Sequence, residues 1–138
     1  CRNLPPVDMD FTSEVQKEGV CNPFVEVVLG RQRLQTRVIR ETLNPVFNQT
    51  HRIFISEPEL GREIQVCAKD WTMTGEHKTV GVVQIAVKDI IDIGHIDSDW
   101  FHFENVMGGG FVGHNDEPSE ISLSFRSEVV PVVLSVGI

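Results

Sequence analysis

Two neighbouring segments decide the fold: Asn22-Pro-Phe-Val-Glu-Val-Val-Leu-Gly30 and Arg33-Leu-Gln-Thr-Arg-Val-Ile-Arg-Glu-Thr-Leu-Asn-Pro-Val-Phe-Asn48. The first is rich in β-branched and aromatic residues and ends at a glycine, which is typical of a short strand. In the second, Leu34, Thr36 and Val38 alternate with polar residues, as in a half-buried strand. Each Asn-Pro pair favours an extended or turn backbone before the next strand. The pattern predicts an antiparallel β-sandwich.

Three further motifs follow in the same order along the chain. They are the strand-like Glu63–Asp70, the tripeptide Thr79-Val80-Gly81 and the aromatic Asp99-Trp100-Phe101. Together with the opening segments, these motifs resemble the C2 domain family in order and spacing. The resemblance implies an all-β fold, an eight-stranded antiparallel sandwich, and a single domain over residues 1–138.

The alternation of apolar and polar residues predicts where the individual strands lie. The predicted strands are Phe24–Leu29, Leu34–Val38, Phe47–Ser56, Ile64–Asp70, Val80–Val87, Trp100–Glu104 and Ile121–Phe125. Glu57–Gly61 is predicted to form a turn. Lys88–Asp97 is long enough for one short helical turn, although its β-branched isoleucines weaken that prediction. Glycines and Pro118 mark Val106–Ser119 as a loop.

The tail, Val129–Ile138, has the composition of one more strand. In the C2 family a segment like Val132–Ile138 stands directly before one like Cys1–Pro6. Three arrangements follow: a circularly permuted chain, a domain cut inside its first strand, or a tail that begins a second domain. Because an unpaired apolar edge promotes aggregation, we expect the tail to be paired. Our first choice is the slot next to Phe24–Leu29 in the same molecule, and our second is exchange within a homodimer.

Composition limits the classes of function. The net charge of -8 opposes nucleic acid as a partner and weakens attraction of the whole domain to an anionic bilayer. Three cysteines without metal-type spacing indicate reduced thiols. No apolar run is long enough to span a bilayer and no signal peptide is evident. We therefore expect a cytoplasmic protein, with any membrane contact peripheral.

The resemblance also implies a calcium site, because C2 domains that bind calcium use five aspartates in two loops at one end of the sandwich. In this sequence the five positions hold Asp8, Asn22, Ala68, Asp70 and Lys78. Only two carboxylates remain, and Lys78 adds a positive charge. Calcium needs six to eight oxygen ligands. The sequence therefore predicts no metal site and no cofactor.

A basic strand is the first candidate binding surface. Its arginines are Arg31, Arg33, Arg37 and Arg40. Strand geometry puts Arg33 and Arg37 on the same face. The resemblance implies that such a strand binds phosphoinositide headgroups or acidic protein segments, and guanidinium groups suit phosphate. The alternative is a solvated face whose arginines pair with Glu26 and Glu41.

The loop tips are a second candidate surface. Met9 and Phe11 lie in the enlarged first loop, and Trp71 and Met73 lie in the third. Apolar loop tips can enter a headgroup layer, but they can also cap the open end of a sandwich. Acidic residues around the first loop disfavour docking on anionic lipid.

No pattern in the sequence predicts catalysis. The five histidines are scattered, and no nucleophile motif or phosphate-binding loop is present. We therefore predict a non-enzymatic C2 module for calcium-independent protein interaction or assembly within a larger intracellular protein. The alternative is peripheral docking on phosphoinositides or other anionic phospholipids. A third class is a regulatory domain of an enzyme whose catalytic part lies outside this chain.

Overall fold

The computed structural model describes residues 1, 2, 4, 21–104 and 119–127. It contains a four-stranded and a two-stranded antiparallel sheet, which confirms the predicted all-β class. The strands are β1 (Pro23–Leu29), β2 (Gln32–Gln35), β3 (Glu63–Asp70), β4 (Lys78–Ala86), β5 (His95–His102) and β6 (Glu120–Arg126). Between them lie a 3₁₀ helix (Glu57–Gly61) and the α-helix α1 (Val87–Ile93).

The larger sheet has the strand order β2-β1-β3-β4. A tight turn joins β1 to β2, where Gly30 adopts the positive φ of 58° that a residue without a Cβ tolerates. β3 pairs with β1 from Gln65 to Asp70 and with β4 along its whole length. A bulge between Ala68 and Lys69 shifts the register of the β3–β4 pairing. β3 is therefore the central element of the sheet.

The slot next to Phe24–Leu29, where we expected the tail, is already filled. β1 has β2 on one edge and β3 on the other, so its backbone has no free edge. The expected position is therefore wrong, because a strand can pair with only two neighbours. The tail itself lies outside the described residues.

The predicted third strand, Phe47–Ser56, is not a strand in the structure. It runs beside β2, but side-chain amides join the two segments. Gln32 donates its Nε2 to the carbonyl of Phe54 at 2.5 Å and accepts from the Phe54 N–H at 2.9 Å. Gln49 accepts the N–H of Arg37 at 2.8 Å. A side chain between two backbones holds them farther apart than the spacing of a β ladder.

The other predicted boundaries differ by a few residues. β2 ends at Gln35, although exposed and half-buried residues continue to alternate up to Val38. The sixth predicted strand is found earlier, because β5 begins at His95 instead of Trp100. β6 confirms the predicted seventh strand.

α1 forms despite its β-branched residues, because Val87 and Ile90 lie one turn apart and are both buried in the core. Gly94, with a φ of 84°, ends the helix and donates its N–H to the Ile90 carbonyl at 3.0 Å. Tertiary burial therefore outweighs weak helix propensity here. Among the described residues no helix is both long and apolar enough to cross a membrane.

Isolated backbone bridges among the described residues join β4 to the chain after β5 and the N-terminal segment to β6. Val82 of β4 exchanges backbone hydrogen bonds of 2.8 and 2.9 Å with Glu104, which follows β5. Arg2 exchanges backbone hydrogen bonds with Glu120 of β6, and its guanidinium group pairs with the carboxylate of the same residue at 2.9 Å. The Arg2 guanidinium also lies 3.7 Å from the ring centroid of Trp100.

The core fills the space between the sheets with aliphatic side chains and two phenylalanines. The buried cluster comprises Leu4, Val25, Leu29, Phe47, Ile64, Val66, Ala68, Val83, Ile85, Val87, Ile90, Phe103 and Ile121. Phe103 is the largest of the fully buried side chains and is 1% exposed. Its N–H donates to the carbonyl of Ser119 at 2.9 Å, which connects the core to the start of β6.

We expect Phe103→Ala to lower the free energy of unfolding by about 3–5 kcal/mol, because it removes a buried aromatic ring and leaves a cavity. Phe54→Ala is the matched control, since Phe54 is 69% exposed and the same atoms are deleted from the surface. Urea unfolding followed by fluorescence measures both values. Equal losses in the two variants would contradict the assignment of Phe103 to the core.

Candidate functional site

The structure brings three of the five calcium positions of the resemblance together at one end of the larger sheet. Asn22 precedes β1, Asp70 ends β3 and Lys78 begins β4. Asp70 lies opposite Pro23 in one ladder and opposite Lys78 in the other. Asp8 lies outside the described residues. The strand ends therefore place these positions side by side, as the resemblance implied.

Asp70 is fully buried and forms a structural hydrogen bond. Its Oδ1 accepts the backbone N–H of Asn22 at 2.8 Å. The Asn22 side chain in turn accepts the N–H of Glu41 at 3.0 Å, and the Asn22 carbonyl accepts the N–H of Trp71 at 2.9 Å. Asp70 and Asn22 therefore join three loops at this end of the sandwich.

The remaining described positions carry no carboxylate. Ala68 is fully buried and lies opposite Gly81 in the sheet, and Lys78 is exposed. Of the four described positions, only Asp70 provides a carboxylate. The described residues also contain no cluster of three or more His, Cys, Asp or Glu side chains suited to a metal ion. These four residues therefore provide one carboxylate toward the six to eight oxygen ligands of a calcium ion.

The β3–β4 loop at the same end presents two apolar side chains. Met73 is 91% exposed and Trp71 is 37% exposed. His77 organises the loop: its ring stacks on Trp71 at 6.3 Å and meets the edge of Phe24 at 5.1 Å. Its Nδ1 accepts the N–H of Thr72 at 3.0 Å. Met9 and Phe11, the other predicted tip residues, lie outside the described residues.

The role of His77 was not predicted from the sequence, which indicated only scattered surface histidines. A histidine in a polar loop carries no periodic signal. Its contacts arise because the hairpin folds back on itself, with Gly75 at a φ of 82° and Thr72 donating to the Glu76 carbonyl at 3.0 Å. His77 is thus a packing residue in this loop.

The basic strand contributes to the outer face of the larger sheet, the face directed away from the core. Cross-strand register puts Arg33 beside Val28 and Glu26 beside Cys67, and residues two apart on a strand share a face. The Glu26 carboxylate lies 3.6 Å from the Arg33 guanidinium group and 3.2 Å from the Lys69 ammonium group. One carboxylate therefore stands between two cations. In the alternative to phosphate binding, we expected the arginines to pair with neighbouring glutamates. The ion pair between Glu26 and Arg33 is present.

The other arginines differ in their contacts. Arg37 donates its Nη2 to the carbonyl of Phe47 at 2.7 Å, so its guanidinium group is partly engaged in holding the chain. Arg31 and Arg40 are exposed, and the described residues offer neither of them an ion pair. The expected pairing of an arginine with Glu41 is likewise absent from the described residues. The four arginines therefore differ in how far their guanidinium groups are already engaged.

A concavity of about 340 Å³ lies on the outer face. Its lining carries both signs of charge and several amides, from Glu26, Val28, Arg33, Gln65, Cys67, Lys69, Thr79, Val82, Gln84 and Glu104. Burial raises the pKa of the Cys67 thiol, and the Lys69 ammonium group only partly offsets that effect. The thiol is therefore held in its protonated form. None of the three cysteines forms a disulfide bond.

Most of this concavity could not be identified from the sequence. Its residues come from all four strands of the sheet, and Glu104 comes from the chain after β5. The sequence predicted that Arg33 and Arg37 share one strand face, and Arg33 lines one side of the concavity. Strand order and register, which short-range patterns do not encode, decide that Glu26 and Lys69 lie beside Arg33.

Comparison with curated proteins identifies relatives over most of the chain. Synaptotagmin-1 of Aplysia californica is 33% identical over 102 residues, which are 71% of this chain and 22% of that protein. Synaptotagmin-2 of Homo sapiens is 30% identical over 122 residues, which are 86% of this chain and 25% of that protein. The chain thus spans about a quarter or less of the length of these relatives.

Solved structures share the fold. A calcium-bound structure of the two C2 domains of Extended-Synaptotagmin 2 superposes with a TM-score of 0.69 at 20% identity, covering 89% of this chain and 40% of that one. A C2 domain of plant Extended Synaptotagmin 1 superposes with a TM-score of 0.59 at 16% identity, covering 81% of this chain and 82% of that one. The family model of the C2 domain matches residues 1–103. The chain therefore belongs to the C2 domain family.

Proposed function

We propose that this chain is a C2 module that binds protein partners without calcium through the outer face of its larger sheet. C2 domains are modules for membrane or protein interaction, so the question is which ligand this member takes. The observation that carries the proposal is the position of Glu26 between Arg33 and Lys69 in the concavity.

Calcium independence is supported by the residues at the loop end. Asp70 already accepts a backbone hydrogen bond, and the ammonium-bearing Lys78 lies opposite it in the sheet. A calcium ion at this end would meet one carboxylate and one positive charge among the described positions. Since calcium affinity depends on the number of charged ligands, the site favours no divalent cation.

Protein recognition is supported by the charge pattern of the concavity. Glu26 compensates both cations, and a phosphate headgroup would have to displace or outcompete its carboxylate. A protein segment carries donors, acceptors and charges of both signs, so it can complement Glu26 and Lys69 together. Gln65 and Gln84 lie opposite each other on β3 and β4, and their side-chain amides add hydrogen-bond donors and acceptors to the concavity.

A second candidate function is peripheral membrane docking, and the β3–β4 loop favours it. Met73 projects into solvent and Trp71 is partly exposed at the same tip. Tryptophan favours the headgroup region of a bilayer. Arg31 and Arg40 remain exposed for contact with anionic lipid. In this function the domain would bind lipid through its loop end and the basic strand instead of the concavity.

We expect the chain to show no saturable heat in a calorimetric titration with CaCl2 up to about 1 mM, the upper range of weak calcium modules. The matched variant is Asn22→Asp with Lys78→Asp, which restores two carboxylates while the side chain at position 22 keeps an acceptor for the Glu41 N–H. This variant should bind calcium more tightly than the wild type. Micromolar affinity in the wild type would contradict calcium independence.

We expect little co-sedimentation of the chain with vesicles that contain phosphatidylinositol bisphosphate, in EGTA and low salt, where electrostatic docking is strongest. The decisive variant is Arg33→Glu with Arg37→Glu, and Arg31→Glu with Arg40→Glu is its charge-matched control. Strong binding that only the first variant abolishes would overturn the protein-binding proposal in favour of phosphoinositides. Binding lost in the control instead would favour docking through the exposed arginines.

A peptide-display selection against the immobilised chain in EGTA tests the protein-binding proposal directly. We expect enriched peptides to carry charges of both signs and to bind Glu26→Lys about tenfold more weakly, a loss of about 1.4 kcal/mol. Glu63→Lys is the control, because Glu63 is exposed at the opposite end of β3 and makes the same charge change. Enriched peptides that bind both variants equally, or a selection without enrichment, would contradict this surface.

A further inference from the structure

The 3₁₀ helix and α1 lie at the opposite end of the larger sheet from Asn22 and Asp70. The 3₁₀ helix leads into the start of β3, and α1 follows the end of β4. Val87, the first residue of α1, donates its N–H to the carbonyl of Arg62 at 3.0 Å, and Arg62 directly follows the 3₁₀ helix. This hydrogen bond joins the two helices into one surface.

Four aliphatic side chains on or beside these helices are exposed. They are Ile55 at 36%, Leu60 at 40%, Ile91 at 37% and Ile93 at 61%. At the start of the 3₁₀ helix, Ser56 donates its N–H to the Glu59 carboxylate at 2.5 Å. In a helix start capped in this way, the residue before the cap packs against the residue after the acid. Here these two residues are Ile55 and Leu60.

Helix periodicity adds α1 to the same group. Residues four apart on a helix share a face, so Ile91 lies on the side of Val87, which is joined to the end of the 3₁₀ helix. Ile93 lies in the last turn of α1. Single exposed apolar residues are ordinary, whereas a contiguous group marks an interaction site. We call Ile55, Leu60, Ile91 and Ile93 the helical patch.

The same two helices carry an excess of negative charge. Their carboxylates are Glu57, Glu59, Asp89 and Asp92. Hydrogen bonds from Ser56 lower the pKa of Glu59, so this carboxylate stays charged. Lys88 is the one cation within Val87–Ile93. The Arg62 guanidinium group is directed to the β1–β2 turn, where its Nη1 lies 3.2 Å from the position that a Cβ on Gly30 would occupy. Acidic side chains therefore border the helical patch.

Charge and backbone pairing select the occupant of the helical patch. Anionic lipid and a second copy of this acidic surface would both be repelled. Because the 3₁₀ helix and α1 bond their own backbone groups, a ligand reaches the patch through side chains and not by adding a strand. We propose that the helical patch binds a basic amphipathic helix of a partner protein. The apolar side chains of that helix would contact Leu60 and Ile91, and its Lys or Arg side chains would face the four carboxylates.

The helical patch is separate from the concavity of the proposed function. Residues of the four strands and Glu104 line the concavity, whereas the patch lies on and beside the two helices. A module with both surfaces can hold a segment of mixed charge on its outer face and a basic helix at its end. Binding at the helical patch therefore does not require binding in the concavity.

Fluorescence anisotropy with a labelled synthetic peptide tests this proposal. The peptide has about 18 residues of leucine and lysine at helical spacing, which is long enough to form an isolated helix. A scrambled peptide of the same composition, whose leucines do not share a face, is the control ligand. We expect the amphipathic peptide to bind the full chain at least about tenfold more tightly than the scrambled peptide.

Leu60→Gln and Ile91→Gln should each weaken binding of the amphipathic peptide about tenfold, because each removes an apolar contact inside the interface. Val46→Gln is the matched control, since Val46 is an aliphatic residue that is 65% exposed outside the patch. It should leave the affinity within about twofold of that of the unmodified chain. Unchanged midpoints of urea unfolding would show that these surface substitutions leave the fold intact.

The acidic border is tested by removing charge. Glu57→Gln with Asp92→Asn should weaken binding about tenfold at low salt, and by less at high salt, where the attraction is screened. Glu76→Gln with Asp99→Asn removes the same charge from exposed positions outside the helices. This control variant should keep the affinity within about twofold.

Several outcomes would overturn the proposal. Equal binding of the scrambled peptide, no binding at low salt, or equal losses in Leu60→Gln and Val46→Gln would exclude a specific apolar contact. A large loss in Glu26→Gln would place the peptide in the concavity, which would leave the proposed function intact. Vesicles of anionic lipid that bind the chain but not Leu60→Gln would assign the patch to a membrane. A dimer that Leu60→Gln dissociates in analytical ultracentrifugation would assign it to a second copy.

Discussion

β3 pairs along both of its edges, with β1 on one side and β4 on the other, and the remaining structure depends on this double pairing. Alternating side chains of β3 then divide between two environments. Ile64 and Val66 enter the core, whereas Gln65 and Lys69 line the outer concavity. β3 also ends at Asp70, which lies beside the loops at that end of the sheet. A single strand thus supplies the core, the candidate binding face and the loop end.

At the loop end, side chains and backbone groups of this protein bond to one another. Asp70 is buried and accepts the Asn22 N–H, so its carboxylate contributes hydrogen bonding that holds the β1 and β3 ends together. A hydrogen bond of this kind offsets part of the cost of burying the polar side chain. The Trp71–His77 stack then packs the β3–β4 loop against Phe24. Side-chain and backbone contacts within the protein therefore join the loops at this end.

The strands with clear alternation were predictable from the sequence, and the less regular segments were not. β1, β3, β4 and β6 arise from local periodicity that burial on one face reinforces. Phe47–Ser56 has the composition of a strand, yet the side chains of Gln32 and Gln49 join it to β2 and to Arg37 where a backbone ladder was expected. α1 forms where β-branched residues disfavour a helix. In both places contacts distant in sequence outweigh the local preference, and no window of neighbouring residues contains those contacts.

The sequence by itself determined the fold family and the all-β class, because residue order and identity carry these directly. Only the tertiary structure decided that Glu26 stands between Arg33 and Lys69, that Arg37 binds the Phe47 carbonyl, and that β1 has no free edge. The physical reason is strand register. The residue that lies opposite a charged side chain on the next strand decides whether an ion pair forms. The packing of the whole sandwich sets the register, and the register sets which residue that is.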